Sequence, residues 1–496
     1  MAAKPLTHGK ARIYRRSSPP LLPPQLAREV CLELHDNSVL QKSAVQFFGL
    51  RSAYRDPTST AARLLEQFET QNRALFSLMD VRLTRLYDGS DVYVTLQAGN
   101  VVGAIPLFSP TSGMLDYGLV IQPRFPWPGI GPMLAEMGWR IAPTPLKLPL
   151  LRRSERKVPS WVISCMVLAR LKALLDSLSR RFELVSENRS APRGTVRWSQ
   201  YATKYLARGQ FLSVPCTFPD LRDDRLLVGA IRYSLEKQRS ALESQREHGG
   251  FVHQLIAFCN ELLRRVQNNP SFLPSPNTLA SWLQRPLRIQ HFREGLQAIE
   301  WTIEDRGLAG VSDLEGIPWR MPMEQFFEAW VETVFRSVAR QIGAELRVGR
   351  RRETVHPINW EPPYLGSQKA LIPDIWLDWG STTLIVDAKY KRHWDELEGH
   401  SWRSVEEMIR EKHRSDLFQV LAYANLALRA RVIVCLAYPC TPSTWERVMH
   451  QNRVVHKAEI NTGMRSILLW LTAIPMATAA DKICSPLLQE VRSAGA

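Results

Sequence analysis

The sequence lacks the short motifs of several enzyme classes. It contains no GxSxG, GxGxxG or GxxxxGK(S/T) motif, so serine-hydrolase, dinucleotide and P-loop nucleotide chemistry have no support. Its seven cysteines are scattered and include no CxxC pair, which argues against a disulfide framework and a four-thiolate zinc site. The eleven histidines show neither HxxxH nor HExxH spacing. We expect three of them that lie near the strand run 381–391, His393, His400 and His413, to be surface residues.

Long apolar runs are also absent. The most apolar window, 466–480, is shorter than the roughly 20 residues of a membrane helix and contains Pro475, so it predicts a buried strand. The N-terminal stretch is basic but is followed by SSPPLLPPQ instead of the apolar core of a signal peptide. Together with the scattered cysteines, these features predict a cytoplasmic protein without a membrane partner.

Acidic residues are fewer than basic ones. The chain has 48 Asp and Glu against 64 Lys and Arg, which gives a formal net charge of +16 and a pI of about 9.7. An excess of this size is typical of proteins with a polyanionic partner. Since no membrane segment is expected, soluble DNA or RNA is the leading candidate for that partner.

The length of 496 residues predicts about three domains. We expect an α+β multidomain protein with three parts: a basic N-terminal segment and β-rich domain (1–150), a helical middle domain (151–310), and a C-terminal α/β domain with a mixed sheet (311–496). Short β runs between Val81 and Ile121, with a Gly-Asn turn at 99–100, predict an antiparallel sheet or a small barrel.

Two segments show helical periodicity in their apolar residues. The first runs from Trp161 to Phe182 and the second from Met323 to Ile342. The apolar stripe of the first is Val162, Cys165, Leu168, Leu171, Leu175 and Leu178. That of the second is Phe327, Trp330 or Val331, Val334 and Val338. Each stripe predicts a helix with one buried face.

Two apolar strand runs in the C-terminal part each contain an aspartate near one end. LIPDIWLDW (371–379) carries Asp374, and STTLIVDAKYK (381–391) carries Asp387 after a Gly-Ser turn. The separation of thirteen positions between the aspartates allows one strand to run out, turn and return antiparallel. The two carboxylates can therefore meet at one edge of a hairpin.

Paired carboxylates on rigid strands suit Mg²⁺, because this ion keeps several waters and needs only one or two carboxylates. Lys389 follows Asp387 by two residues, and side chains on a strand alternate with period two, so the two should share a face. A lysine there can position the attacking water and offset charge on a phosphoryl transition state. The arrangement predicts hydrolysis of phosphodiesters, whereas ordinary surface charges on a hairpin are the alternative.

Two helices contribute further candidates. Glu324, Glu328 and Glu332 are spaced four apart, so one of them could complete the outer shell of the metal, or all three could be solvated glutamates that pair with Arg336. In SDLFQVLAYANLAL (415–428), Gln419 and Tyr423 are one helical turn apart and could face the strand edge.

These motifs, in this order, resemble the PD-(D/E)XK nuclease superfamily and, within it, the McrC family, the nuclease subunits of McrBC-type modification-dependent restriction systems. The resemblance is carried by FFEAWV (326–331), IPDI (372–375), IVDAKYK (385–391) and DLFQVLAYA (416–424). It implies a PD-(D/E)XK fold for the C-terminal domain. It further implies that Glu328 is the helix glutamate, Asp374 and Asp387 the metal-binding acids, Lys389 the catalytic lysine, and Gln419 and Tyr423 an accessory pair.

The resemblance also implies a partner. McrC-like proteins act with a AAA+ GTPase, and the absence of a P-loop in this chain fits a motor that is encoded separately, whether it uses GTP or ATP. In the family the β-rich part docks into the motor ring, so 81–125 is the candidate here.

Basic residues near the two strands are candidates for contact with DNA. They are Arg350, Arg351, Arg352, Lys391 and Arg392. The alternative for the arginines is a solvated turn.

The sequence thus predicts a Mg²⁺-dependent DNA endonuclease of a restriction or anti-phage system, in which Mn²⁺ should substitute for Mg²⁺. Two alternatives stay open. One is a protein with the nuclease fold that regulates a AAA+ motor or scaffolds DNA without cutting it. The other is a self-sufficient restriction nuclease whose residues 1–310 recognise the target.

Overall fold

A computed structural model describes residues 30–50, 56–89, 91–138, 140–141, 143–146, 161–178, 181–222, 225–246, 250–284, 290–304, 318–391, 394, 406–461 and 466–495. Arg392, His393 and His400 lie outside the described residues. The described chain is a mixed α/β structure with several sheets.

The helices and strands are numbered in chain order. The helices are α1 (Ala44–Phe47), α2 (Pro57–Leu78), α3 (Trp127–Glu136), α4 (Trp161–Ser177), α5 (Trp198–Gln200), α6 (Arg225–Glu243), α7 (Gly250–Val266), α8 (Pro276–Gln284), α9 (Gln290–Ile303), α10 (Met323–Ile342), α11 (Glu407–Ala424), α12 (Pro442–His450) and α13 (Ala480–Gly495). The strands before α4 are β1 (Val30–His35), β2 (Val39–Ser43), β3 (Val81–Asp88), β4 (Asp91–Ala98), β5 (Val101–Leu107), β6 (Tyr117–Gln122) and β7 (Thr144–Pro145). The later strands are β8 (Arg181–Arg189), β9 (Thr195–Val196), β10 (Val214–Arg222), β11 (Trp319–Pro322), β12 (Glu345–Val348), β13 (His356–Pro357), β14 (Ala370–Leu371), β15 (Ile375–Trp379), β16 (Thr382–Ala388), β17 (Arg431–Cys440), β18 (Val455–Asn461) and β19 (Ser466–Pro475).

The β-rich N-terminal part forms two sheets, so the expectation of one antiparallel sheet or barrel was wrong. One sheet has the order β2-β4-β3 and the other β1-β6-β5-β11-β7. The predicted turn at Gly99 and Asn100 carries the chain from the first sheet to the second. Asp80 contacts this turn closely: Asn100 N donates to Asp80 Oδ2 at 2.9 Å, and a Cβ on Gly99 would lie 1.9 Å from that same oxygen.

The middle part is helical, as predicted in outline, but it also contains a small sheet that the prediction did not include. Helices α4, α6, α7, α8 and α9 pack together, and the predicted stripe of α4 is buried or partly buried. The helix ends at Ser177, earlier than the predicted Phe182. The sheet β8-β10-β9 has its own small core of Val214, Cys216 and Phe218, separate from the main core.

The C-terminal part is built on a six-stranded mixed sheet with the order β12-β15-β16-β17-β19-β18. Strands β15 and β16 are antiparallel, whereas β16, β17 and β19 run parallel. The predicted helix 323–342 is α10, and every residue of its predicted stripe is buried. The window 466–480, predicted to be a buried strand, contains β19, which ends at Pro475, and reaches the first residue of α13.

Strand β11 links the N-terminal and C-terminal parts. It pairs antiparallel with β5 and leads directly into α10. Gly103 of β5 permits this approach, since its φ is +153° and a Cβ there would lie 2.2 Å from Trp319 O. The main core is accordingly one contiguous cluster from Leu32 to Ala494. No helix in the described parts of the chain combines the length and apolar character needed to cross a membrane.

Candidate active site

The β15-β16 hairpin brings the two predicted aspartates together. In its register Ile375 lies opposite Val386, so Asp374, one position before β15, faces Asp387. Ala388 N donates a hydrogen bond to Asp374 Oδ2 at 2.8 Å, which fixes the first carboxylate against the second strand. Asp387 lies on a central strand and is only 1% exposed. The sequence spacing therefore predicted this encounter correctly.

Lys389 lies beside Asp387, as the period of the strand predicts. Its Nζ is 2.8 Å from Asp387 Oδ2, and its side chain is 15% exposed. Its backbone N donates to Ala437 O at 2.9 Å, so the pairing of β16 with β17 continues past the end of the strand. The ammonium is thus held at the carboxylate pair by the sheet itself.

Glu328 of α10 approaches the same centre. Its side chain is 18% exposed, and Glu328 Oε1 lies 3.9 Å from Arg350 Nε. Glu332, one turn further on, is buried and pairs with three arginines: Arg140 and Arg350, each at 2.6 Å, and Arg336. For Glu332 the predicted alternative is right about the pairing with Arg336 but wrong about solvation, because the side chain is buried.

The clustered acids shift one another's pKa values. Burial, reinforced by Asp387 and Glu328, raises the pKa of Asp374 well above its usual value. Burial also raises the pKa of Asp387, although Lys389 opposes the shift. Burial raises the pKa of Glu328 to about 7 despite the nearby Arg350. Burial acts to lower the pKa of Lys389, but Asp387 outweighs it and the pKa is raised.

The carboxylate pair fits a divalent cation of the Mg²⁺ type. Asp387 Oδ2 is buried beside Lys389 Nζ, and Asp374 faces Asp387 across the hairpin, so two hard oxygen donors meet at one edge of the sheet. The described residues contain no group of three or more His, Cys, Asp or Glu side chains arranged to hold a metal. Water and phosphate oxygens would have to supply the remaining positions, as Mg²⁺ tolerates and zinc sites do not.

The predicted accessory pair lies at this edge of the sheet. Gln419 Nε2 donates to Tyr423 OH at 2.7 Å, and Tyr423 OH donates to Ile372 O at 3.4 Å. Burial raises the pKa of Tyr423, Gln419 opposes the shift, and Asp387 and Asp374 add to it. Helix α11 is thereby tied to the segment that carries Asp374.

A second buried polar cluster, which the sequence did not reveal, lies behind Lys389. Lys391 Nζ is 2.6 Å from Asp416 Oδ1, and Asp416 Oδ2 accepts from Tyr438 OH at 3.1 Å. His413 Nδ1 lies 3.0 Å from Tyr438 OH. The prediction that His413 is a surface residue was therefore wrong: it is buried because it belongs to this network. Asp416 could have been noticed as the acid three positions before Gln419.

The predicted DNA contacts differ in their surroundings. Arg350 is engaged with Glu332, and Lys391 with Asp416. Arg351 and Arg352 are exposed, and Arg352 has a left-handed φ of +61°. Arg392 lies outside the described residues. The role of all five in binding DNA stays a prediction.

Another cluster joins the N-terminal sheet to the residue after Lys389. The guanidinium of Arg124 stacks on the Tyr390 ring with 4.4 Å between its carbon and the ring centroid, and its Nε lies 3.7 Å from Asp36 Oδ2. Tyr390 also packs against Phe327, the neighbour of Glu328. Sequence reasoning missed this cluster because its members are far apart in the chain.

A comparison with known protein families identifies the family of this chain. The family described as McrBC 5-methylcytosine restriction system component matches residues 133–439, more than half of the chain. The chain belongs to this family. The resemblance to McrBC components predicted from the sequence is thus confirmed.

The solved structures that resemble this McrBC family member have low sequence identity to it. No curated protein matches it. Two solved structures are similar: a half-complex of Thermococcus gammatolerans McrB AAA+ hexamers with bound McrC (14% identity, 94% of this chain and 100% of that chain covered, TM-score 0.40), and the Thermococcus gammatolerans McrBC complex (14% identity, 62% and 87% covered, TM-score 0.24). Likeness at these scores does not define a shared fold.

Proposed function

We propose that this chain is the nuclease subunit of an McrBC-like restriction system, a cytoplasmic Mg²⁺-dependent DNA endonuclease whose C-terminal part is a PD-(D/E)XK domain. The observation that carries the proposal is the meeting of Asp374, Asp387 and Lys389 at one hairpin end, with Lys389 Nζ 2.8 Å from Asp387 Oδ2. Family membership supports the restriction context.

In this proposal Asp374 and Asp387 hold Mg²⁺, or Mn²⁺ in its place. When bound, the ion polarises the phosphoryl oxygen and lowers the pKa of a bound water. Lys389, kept protonated by Asp387, orients the attacking water and offsets negative charge on the phosphoryl oxygens. Glu328, with its pKa near 7, can hold or accept a proton close to physiological pH.

The proposed partner is a separately encoded AAA+ motor that hydrolyses GTP or ATP. The absence of a P-loop from the sequence supports a division of labour in which this chain does not bind the nucleotide. We assign docking on the motor to the β-rich stretch 81–125, and the substrate of the assembly is DNA.

The test compares Asp374→Asn, Lys389→Met and a control, Glu345→Gln, on a substrate DNA with the motor, nucleotide and Mg²⁺ present. Glu345 is an exposed carboxylate on β12 of the same sheet. Asp374→Asn should abolish cleavage and the thermal stabilisation by Mg²⁺ or Mn²⁺, yet raise the melting temperature in EDTA, because it removes one of the crowded acids. The control should behave as the wild type.

Lys389→Met should separate binding of the metal from catalysis. The cleavage rate should fall by about 10²- to 10³-fold, as when a charge-stabilising donor is removed. Affinity for Mn²⁺ should stay or increase, because the substitution removes a cation from Asp387. Wild-type protein that binds the metal but cuts no DNA in any assembly would instead favour the non-cutting regulator, and cleavage without motor or nucleotide the self-sufficient nuclease.

A further inference from the structure

Residues 189–213, called here the basic arm, form a segment outside the candidate active site whose charged residues are all basic. The arm contains no Asp or Glu. Its five basic residues are Arg189, Arg193, Arg197, Lys204 and Arg208. It also carries four aromatic residues, Trp198, Tyr201, Tyr205 and Phe211. Basic and aromatic side chains are thus interleaved within 25 positions.

The basic arm is a structured projection of the β8-β10-β9 sheet. Nearly every residue from 189 to 212 is exposed, and none is buried. Two hydrogen bonds hold its shape: Tyr201 OH donates to Phe211 O at 2.8 Å, and Asn188 Nδ2 donates to Tyr205 OH at 2.7 Å. The separate core beneath it means that its charges and rings are carried on a distinct surface.

Two aromatic side chains of the basic arm are largely exposed, although Trp198 has an edge contact with Tyr201, and three of its cations are exposed. Trp198 is 65% exposed and Phe211 63%. Arg197, Lys204 and Arg208 are exposed and form no ion pair with any residue that the structure describes. An exposed tryptophan surrounded by uncompensated positive charge is unfavourable for folding. The surface therefore fits an external anionic partner with flat apolar faces.

We propose that the basic arm is a DNA-binding surface, separate from the catalytic hairpin. Arg197, Lys204 and Arg208 contact backbone phosphates, and Trp198 stacks on a base that is unpaired or opened. Polyanionic backbone and stacking bases are the two features that this combination of side chains matches. The proposal rests on the proposed function in taking DNA as the substrate.

Binding of labelled 30-mer duplex and single-stranded DNA is measured by fluorescence anisotropy over a salt series, with the full chain in EDTA so that cleavage cannot contribute. The triple variant Arg197→Ala/Lys204→Ala/Arg208→Ala should lower the slope of log affinity against log salt by about 3 for the duplex, roughly one per lost contact. A triple variant with equal charge loss, Arg453→Ala/Lys482→Ala/Arg492→Ala, changes exposed residues elsewhere and should keep the slope.

Two further variants separate the contribution of charge to DNA binding from that of correct folding and from that of base stacking. Arg197→Lys/Arg208→Lys keeps the charges and should keep the salt slope. Trp198→Ala should weaken binding of the single strand about fivefold or more and affect the duplex less.

Unchanged affinity and slope in the arm triple variant would overturn the proposal. So would absence of DNA binding by the wild type, or a loss confined to association with the motor, which would indicate an acidic protein surface as the partner. Because the assay excludes divalent metal, failure of the proposed nuclease chemistry would leave this result unaffected, and the reverse also holds.

Discussion

At the scale of single residues, the candidate active site consists of carboxyl groups in buried positions, where the charged carboxylate form is unfavourable. Asp374, Asp387 and Glu328 all have raised pKa values, and burial is the first cause for each. Such positions destabilise the folded chain in the absence of a cation, so their retention is expected only where function uses them. Lys389 compensates part of this charge.

Glu328 gives a prediction about pH. Its pKa is about 7 in the folded protein and about 4.5 in its ordinary state, so between these values the folded chain binds more protons than the unfolded chain. Stability of the metal-free protein should therefore fall as pH rises from 4.5 to 7, with at most about 3 kcal/mol from Glu328. Glu328→Gln should flatten this decline, as measured by urea denaturation in EDTA at several pH values.

Asp374 and Asp387 act with the same sign, so a residual decline is expected in Glu328→Gln. The exposed Glu345→Gln is the matched control and should reproduce the wild-type profile. A Glu328→Gln profile identical to that of the wild type would show that this carboxyl titrates normally in the folded protein.

At the scale of elements, Arg124 and Asp36 join the ends of β6 and β1 to the segment after β16. Arg124 is nearly buried, Asp36 is 2% exposed, and the guanidinium nitrogens have no hydrogen-bond partner among the described residues. The contact with Asp36 and the stack on Tyr390 therefore stabilise the buried positive charge of Arg124. The cluster positions the backbone that follows Lys389.

Arg124→Met should destabilise the protein by about 3 kcal/mol, because it leaves Asp36 charged and buried. Asp36→Asn should also destabilise it, and the double variant should lose less than the sum of the two single losses. Urea denaturation measures all three, with Arg453→Met as a control at an exposed arginine. Strict additivity of the two losses would show that Arg124 and Asp36 do not interact.

The elements also show what the sequence could predict. The helix 323–342 and the Asp374–Asp387 encounter were predicted because they depend on local periodicity and on a tight turn. The division of the N-terminal strands into two sheets was not predicted, because it involves contacts between distant residues, such as that of Asp80 with Asn100. The buried networks around Glu332 and Asp416 depend on partners brought together only by the tertiary fold.

At the scale of the whole molecule, the C-terminal part is held by contacts from earlier in the chain. Strand β11 pairs with β5, and Glu136 Oε2 of α3 accepts from Ala480 N at 2.8 Å. Arg140 supplies one of the three positive charges around the buried Glu332. The proposed nuclease centre includes Glu328, one turn before Glu332, and would thus be coupled to the proposed docking part of the chain.

A fragment beginning at residue 318 should therefore fail to fold cooperatively, because β11 loses its partners and Glu332 loses Arg140. The full chain should unfold in a single transition that coincides by circular dichroism and tryptophan fluorescence. Arg140→Met in the full chain removes only one of these links and should cost about 1–3 kcal/mol, since Arg336 and Arg350 still pair with Glu332. If the fragment unfolds with the stability of the full chain, the C-terminal part is an independent domain and the contacts from β5, α3 and Arg140 contribute nothing to its folding.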